Sequence, residues 1–530
     1  MKRLTLLAAL CITGSALAVP PTQAWRRIFN TTPYDDTAGG IDVDASGYAY
    51  LEYVDAEPGH FGAWYVHVVK IGPTSGIYFD KLITYSTNYA PLGVLVSPMV
   101  AGKQYVYTVT APVGLTSQSV YIYKWDTAGN LQWNGAPLII PDCGGLAGMY
   151  ADASGNLLLA AKKGSGLTRY LGMMMVDSSG AVLGSQSNNS IYPSKAFYSP
   201  VLNGWIVAGV DMSWSDSGAR WGLFNPTNGA EGTPGEIADG YTNANSSLSY
   251  TFVLSPLPNN AYGIVTNSFS YDNLGTRWYT KMQVYAANGV PVWHYPDSGT
   301  REGQIFQLAA FNSSSPIYDV GFIPATPGNT VEDFNGLGVL QWQHTNQPAD
   351  TLFPWSDGFF TVFYNYANNT EFLEHANAAG VYDWGKSYVG TGTGINSFGA
   401  FRGFQNSFYI VNTISNTTTG KDVVVDRFVT GIAMQSIGAA SATVQAGHSL
   451  TATIKLNGNA PTGGVAVGVT TSNNKLLLPN GTQGQYVTVP AGQLSTTVTL
   501  NAQSVTANTP VRILAIQNGI RRYVDVTVTP

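Results

Sequence analysis

The chain repeats itself at intervals of about fifty residues, and this periodicity limits its possible folds more than any other feature. Strand-like runs begin near Ile41, Pro91, Ala147, Lys195, Tyr250, Phe306, Thr351 and Phe398. Each unit reads as up to four strands. In the third they are AGMYAD, NLLLAAKK, TRYLGMMMV and AVLGSQ, with ASG and SSG at two of the breaks. Two short markers recur in phase with the units. One is Gly-x-x-x-Trp, at Gly129/Trp133, Gly289/Trp293, Gly338/Trp342 and Gly380/Trp384. The other is a polar turn phrase: DASG at 44–47 and 152–155, DTAG at 126–129, DSSG at 177–180 and NAAG at 377–380. In such a turn Asp or Asn accepts backbone N–H bonds and Gly takes the left-handed position.

Four short strands per unit of this length predict an all-β fold, with each unit one blade of a β-propeller. The last unit, FGAFRGFQNSFYIVNTISNTTTGKDVVVDRFVTG, has three strands and no Trp strand, whereas AWRRIFNTT near the start is a lone Trp strand. Joining the two completes a blade, so eight blades are expected. Seven is the alternative, because the unit at 306–347 is short. The predicted domains are a signal peptide over 1–24, the propeller over 25–430 and a β-sandwich over 431–530. The signal peptide is read from Lys2 and Arg3, an apolar run from Leu4 to about Ile12, and small-residue cleavage sites after Ala18 or Ala24. The sandwich is read from Thr/Val alternation in SLTATIKL, GVAVGVTT, STTVTLNA and RRYVDVTVTP.

Composition narrows the function. Charged residues are 11% of the chain, against about 25% in ordinary globular domains. There are 31 Tyr and 12 Trp, and the formal net charge is −6 with no Lys/Arg cluster, which excludes nucleic acid as the expected partner. No segment approaches the ~20 apolar residues of a membrane span. Of two cysteines, Cys11 lies in the predicted signal peptide and Cys143 on an expected inter-blade link, so disulfides are not expected to hold the fold.

The Asp-x-x-Gly turns and Gly-x-x-x-Trp strands resemble those of bacterial secreted propellers of the quinoprotein-like type. Asp126 stands one residue closer to Gly129 than that motif has it, and the vicinal cysteines of quinoprotein alcohol dehydrogenases are absent. PTGGVAVGVTTSN followed by VTVPAGQLSTTVTL resembles bacterial Ig-like modules, which implies a spacer or adhesive C-terminal domain.

No catalytic constellation stands out. The six histidines lack metal-ligand spacing, and neither a Gly-x-Ser-x-Gly elbow nor a phosphate loop is present. Asp42-x-Asp44-x-Ser46-Gly47 resembles the start of a calcium loop, but its twelfth position is Tyr53 rather than Glu. Calcium is therefore a secondary expectation, behind no cofactor at all. Binding is expected on the face of the longer second-to-third-strand loops. There Gly-x-Arg-Trp recurs at Arg220/Trp221 and Arg277/Trp278, with looser forms at Arg169 and Trp64, and Trp214 stands outside the pattern. These seven residues are either inter-blade packing or an aromatic and guanidinium rim for a ligand. The expected function is a secreted or cell-surface binding protein for carbohydrate or a surface protein. The alternative is a polysaccharide hydrolase or lyase. A quinone- or calcium-dependent oxidoreductase comes third.

Overall fold

A computed structural model describes residues 21–530, apart from 31–34, 57–63, 84–88, 113–118, 165–167, 212–218, 233–248, 258–260, 273–274, 296–300, 303, 310–316, 324–325, 335–339, 346–350, 356–357, 366–367, 378–379, 393–396, 405–406 and 519. The predicted signal peptide falls mostly outside the described residues. Two compact units emerge, 23–428 and a C-terminal unit over 429–530. The described residues are all-β, the one helical element being the single turn Trp133–Gly135.

The larger unit is a run of antiparallel sheets met in chain order. The first holds Thr37–Val43, Ala49–Ala56, Trp64–Ile71 and Ile77–Leu82. The second holds Tyr89–Val96, Tyr105–Pro112, Val120–Asp126 and Leu138–Ile140, and the third Cys143–Ala151, Leu157–Lys163, Tyr170–Val176 and Val182–Asn188. The fourth shows three strands among the described residues, Ile191–Ser199, Gly204–Asp211 and Ala219–Phe224. The fifth, sixth and seventh begin at Ser249, Gln304 and Thr351. The eighth joins Ser397–Phe404, Ser407–Asn416 and Gly420–Val429 to Thr22–Phe29 from the other end of the chain. An Arg26–Asp426 ion pair at 2.8 Å and a bond from Gln23 Nε2 to Asp426 Oδ1 at 2.7 Å tie that junction. The neighbouring carboxylate raises the pKa of Arg26 above its ordinary value.

All eight repeat starts found in the sequence fall within first strands of sheets. First strands of successive sheets lie side by side from the first sheet to the seventh, and the eighth lies back against the first. Phe353 stacked on Phe401 at 4.5 Å connects the seventh to the eighth. This ring closure is the connectivity of a β-propeller. Two details differ from the expectation. Cys143 begins a strand and is 1% exposed, rather than lying on a link. Trp133 sits in the helical turn before its strand rather than within it.

The core lies between the sheets rather than under them. Each seam carries its own apolar cluster: Tyr50, Val68 and Phe79 meet Val106 and Trp125 between the first and second. Leu158 and Met173 meet Trp205 and Phe224 between the third and fourth. Because both faces of a sheet are covered, its middle strands read as unbroken buried runs, Leu157–Ala161 for example, rather than as alternating ones. The Gly-x-x-x-Trp tryptophans belong to these seams. Trp293 lies 5.8 Å from Phe334, Trp342 lies 6.1 Å from Phe359, and Trp384 lies 5.3 Å from Phe428, each ring facing the next sheet.

The C-terminal unit contains two sheets. One runs through Met434–Ala439, Ser449–Leu456, Ser495–Ala502 and Leu476–Leu477, and the other is built around Val465–Thr471, Thr509–Gln517 and Ile520–Thr529. Here alternation is strict: every second residue of Ser449–Leu456 is buried, as one-sided packing requires.

Two predictions follow from the packing. Gly180 has φ +93°, and a Cβ there would meet the Trp133 ring at 2.7 Å, whereas Gly102, at φ +76°, has open space around the same position. Gly180→Ala is expected to cost about 2–4 kcal/mol, from left-handed strain plus overpacking. Gly102→Ala should cost only about 1 kcal/mol. All twelve Trp precede residue 385, so urea titration followed by tryptophan fluorescence reads the larger unit alone. Second, burial pushes Tyr123, Tyr285 and Tyr382 each up to about 12. Unfolded tyrosine ionises near 10, so the stability these phenols contribute is intact below pH 10 and is lost as pH rises toward 12. The loss is about 1.4 kcal/mol per pH unit for each tyrosine. Stability measured between pH 9 and 11.5 should be level and then fall steeply.

Candidate ligand cavity on the turn face

The recurrent polar phrases form the turns on one face of the larger unit. DASG joins first to second strands, and DTAG, DSSG and NAAG join third to fourth. Gly47, Gly129, Gly155 and Gly180 have φ between +81° and +93°. The Asp at the head of each turn accepts N–H bonds from residues two and four further on, for example Ser46 and Tyr48 to Asp44 Oδ1 at 2.8 and 3.0 Å. Asp126, Asp152 and Asp177 repeat that pattern.

A second function of these turns is visible only in three dimensions. The carbonyl of the residue after the turn's first position receives a cation from the preceding sheet. Lys70 Nζ donates to Thr127 O at 2.7 Å, Lys124 Nζ to Ser178 O at 2.7 Å, and Arg427 Nη1 to Pro73 O at 3.2 Å. Each cation lies over a tyrosine ring of its own sheet: Lys70 is 4.3 Å from the Tyr48 centroid, Lys124 is 4.0 Å from Tyr105, and Arg427 is 5.8 Å from Tyr409. Burial lowers the pKa of all three cations. The carbonyl and the ring face offset the lost hydration. At two of these seams an indole joins the same carbonyl, Trp25 Nε1 to Pro73 O at 2.8 Å and Trp133 Nε1 to Ser178 O at 3.3 Å. At the seam between the first and second sheets Phe79 covers Gly129 as Trp133 covers Gly180, but brings no indole N–H.

That seam is where a cavity of about 550 Å³ opens. It lies among four turns of two adjacent sheets. Asp44, Ser46 and Tyr48 come from one turn, Lys70 and Tyr78 from the strands beside another, Met99 to Tyr105 from a third, and Asp126 to Gln132 from the fourth. Tyr48 and Tyr78 meet edge to face at 4.9 Å, and Tyr78 is 60% exposed. Gly72 permits this, because a Cβ there would stand 2.5 Å from the Tyr78 ring. Two lysines and two aspartates line the space, so its formal charge balances. Both carboxylates are committed locally. Asp44 Oδ2 accepts the Tyr50 hydroxyl at 3.0 Å, and Asp126 Oδ2 accepts the Asn130 amide at 2.9 Å.

The residues expected at a site occupy other places. Trp221 is 6% exposed, its ring 4.7 Å from Tyr285 at the seam of the fourth and fifth sheets, which is the packing role. Arg220 pairs with Glu231 at 2.7 Å. Arg169 is exposed and lies 5.2 Å over Tyr192. Trp64 begins a third strand and Arg277 and Trp278 lie in Gly275–Tyr285, but their side chains are outside the described residues, as is Trp214 entirely. In the calcium-like stretch, Asp42 Oδ1 pairs with Arg402 Nε at 2.6 Å and its Oδ2 accepts Val96 N–H at 2.7 Å. Among the described residues no group of three or more His, Cys, Asp or Glu is arranged to hold a metal. The cavity residues had a sequence signal that went unread: a Lys two places before the third turn, in KIG and KWD, opposite a tyrosine in the preceding strand.

Replacing the latch cation tests its contribution. Lys70→Met and Lys124→Met each keep the aliphatic stem; the first removes the lysine bond to Thr127 O, and the second leaves Ser178 O with only the longer bond from Trp133. Each is expected to lower stability by about 1–3 kcal/mol in a urea titration. An unchanged midpoint would mean that ammonium desolvation cancels the bond.

No protein-family model matches the chain, and no curated protein matches it. Solved structures similar to it are propeller proteins. A catalytically inactive virginiamycin B lyase from Staphylococcus aureus, crystallised with quinupristin, is 11% identical over 76% of this chain and 98% of its own, with a TM-score of 0.35. Polysaccharide lyase Uly1 is 11% identical over 74% of this chain and 90% of its own, with a TM-score of 0.39. The propeller domain of the trilobed protease from Pyrococcus furiosus is 7% identical over 66% and 93%, with a TM-score of 0.34. Similarity at this level carries no functional information.

Proposed function

We propose that the chain is a secreted or cell-surface binding protein, an eight-bladed propeller followed by an Ig-like sandwich, that holds a neutral carbohydrate in the turn-face cavity. The supporting observation is the character of the lining: the exposed Tyr78 ring and half-buried Tyr48 and Tyr105 beside carboxamides and hydroxyls, with formal charges that balance. A sugar offers C–H faces to aromatic rings and hydroxyls to polar groups, and a site without net charge suits a ligand without one. Binding is favoured over hydrolysis because both cavity carboxylates serve as acceptors within their own turns, whereas glycoside hydrolysis needs two carboxyls aimed at one bond. The Ig-like module would act as a spacer.

Calorimetry on the full chain, guided by an array of neutral glycans, tests this. A neutral oligosaccharide should bind without turnover, and Tyr78→Ala should weaken it about tenfold, as loss of an exposed aromatic anchor does. Release of reducing ends would favour the hydrolase reading. An array without binders, or a variant that binds normally, would remove the carbohydrate reading.

A further inference from the structure

A second cavity, of about 360 Å³, opens at the ring of first strands between the second and third sheets. It shares no residue with the turn-face cavity. Its walls are apolar, with Leu92, Val109, Leu146 and Met149 among them, and the first strand of the third sheet crosses it as Gly144-Gly145. Gly93 and Gly145 sit where the register of their strands shifts, at φ +152° and +145°. Nothing stands within 4 Å of the place a Cβ would take at either. The two bulges leave bare backbone facing open space, the condition under which a ligand can approach closely.

Only one charged side chain lines this cavity, that of Lys162. A second cation, Lys195, stands in the first strand of the fourth sheet, where the carbonyl of its neighbour Ala196 lies against the lining residue Gly148. Burial lowers the Lys162 pKa, and repulsion from Lys195 adds to this. Neither ammonium has a hydrogen-bond or ion-pair partner among the described residues, although the chain carries 31 acidic residues against 25 basic ones. The contrast with Lys70 and Lys124 is direct, since those lysines each reach a turn carbonyl. Lys162 is half-buried and Lys195 exposed, so water still reaches them, but their mutual repulsion is unrelieved and an anion between them would relieve it.

We propose that this cavity is an anion-binding subsite, in which Lys162 and Lys195 take the carboxylate, sulfate or phosphate group of an acidic ligand whose body rests on the apolar wall. Its volume is within the range of small-molecule sites. The proposal is independent of the carbohydrate reading of the turn-face cavity.

Calorimetry on the full chain uses three probes: a galacturonic acid trimer, the neutral galactose trimer and inorganic sulfate. The acidic trimer should bind, more weakly as salt rises, and the neutral one should not compete for the site. Lys162→Met and Lys195→Met should each weaken binding at least tenfold, Lys162→Arg should largely retain it, and Tyr78→Ala should leave it unchanged. If Lys162→Met does not fold, Lys195→Met decides, because Lys195 is exposed. Sulfate binding with the same lysine dependence would also support the subsite and would identify a free anion as its ligand. If neither anion binds, or if both Met variants bind as the parent does, the proposal is wrong.

Discussion

Three consecutive seams of the larger unit, from the eighth sheet to the third, are gripped at the turn face. A cation from one sheet reaches over a tyrosine ring to a backbone carbonyl in the following sheet's turn, and at two of them an aromatic ring also lies on that turn's glycine. Apolar clusters fill every seam, but apolar packing is non-directional and would tolerate sliding. The hydrogen bond and the ring on the glycine set position as well as contact. Both need a backbone that presents its carbonyl and leaves no Cβ in the way, and an Asp-x-x-Gly turn does both.

This grip also accounts for the candidate site. Where an indole completes it, as at Ser178, Trp133 both covers the turn glycine and bonds the carbonyl. Where the repeat has Tyr78-Phe79 instead, Phe79 takes the place over the glycine, Tyr78 turns outward, and the cavity stands beside Lys70. A departure from a structural repeat thus generates the space, and residues placed there for packing become its lining. The two glycines at the strand bulges of the inner ring open the second cavity by the same logic, through side chains that are missing.

Much of the architecture was legible because repetition multiplies weak signals. A single DASG is an ordinary turn. Several in phase with Gly-x-x-x-Trp mark sheet edges, and every predicted unit start lies on a first strand. The pairing of AWRRIFNTT with the last unit was legible because one lacked what the other had in surplus. The site was less legible. Arg220 and Trp221 stood out by recurrence, yet recurrence in a repeat fold marks whatever the scaffold needs at each seam, and Trp221 is seam packing. The cavity residues are scattered from Asp44 to Gln132, and although some belong to the repeated turns, nothing in their order along the chain brings these particular turns together around a space.

What the sequence determined by itself was local: strand periods, turn chemistry, the fifty-residue unit and the change of texture after residue 430. These depend on interactions between residues a few positions apart, which a linear reading can follow. Tertiary structure decided which turn carbonyl each lysine reaches, across 54 to 57 residues of chain, and which lysines reach none. It also decided where a missing side chain leaves a hole. Those outcomes depend on the spacing between neighbouring sheets, set by the sum of their packed side chains, and no short stretch of sequence contains that sum.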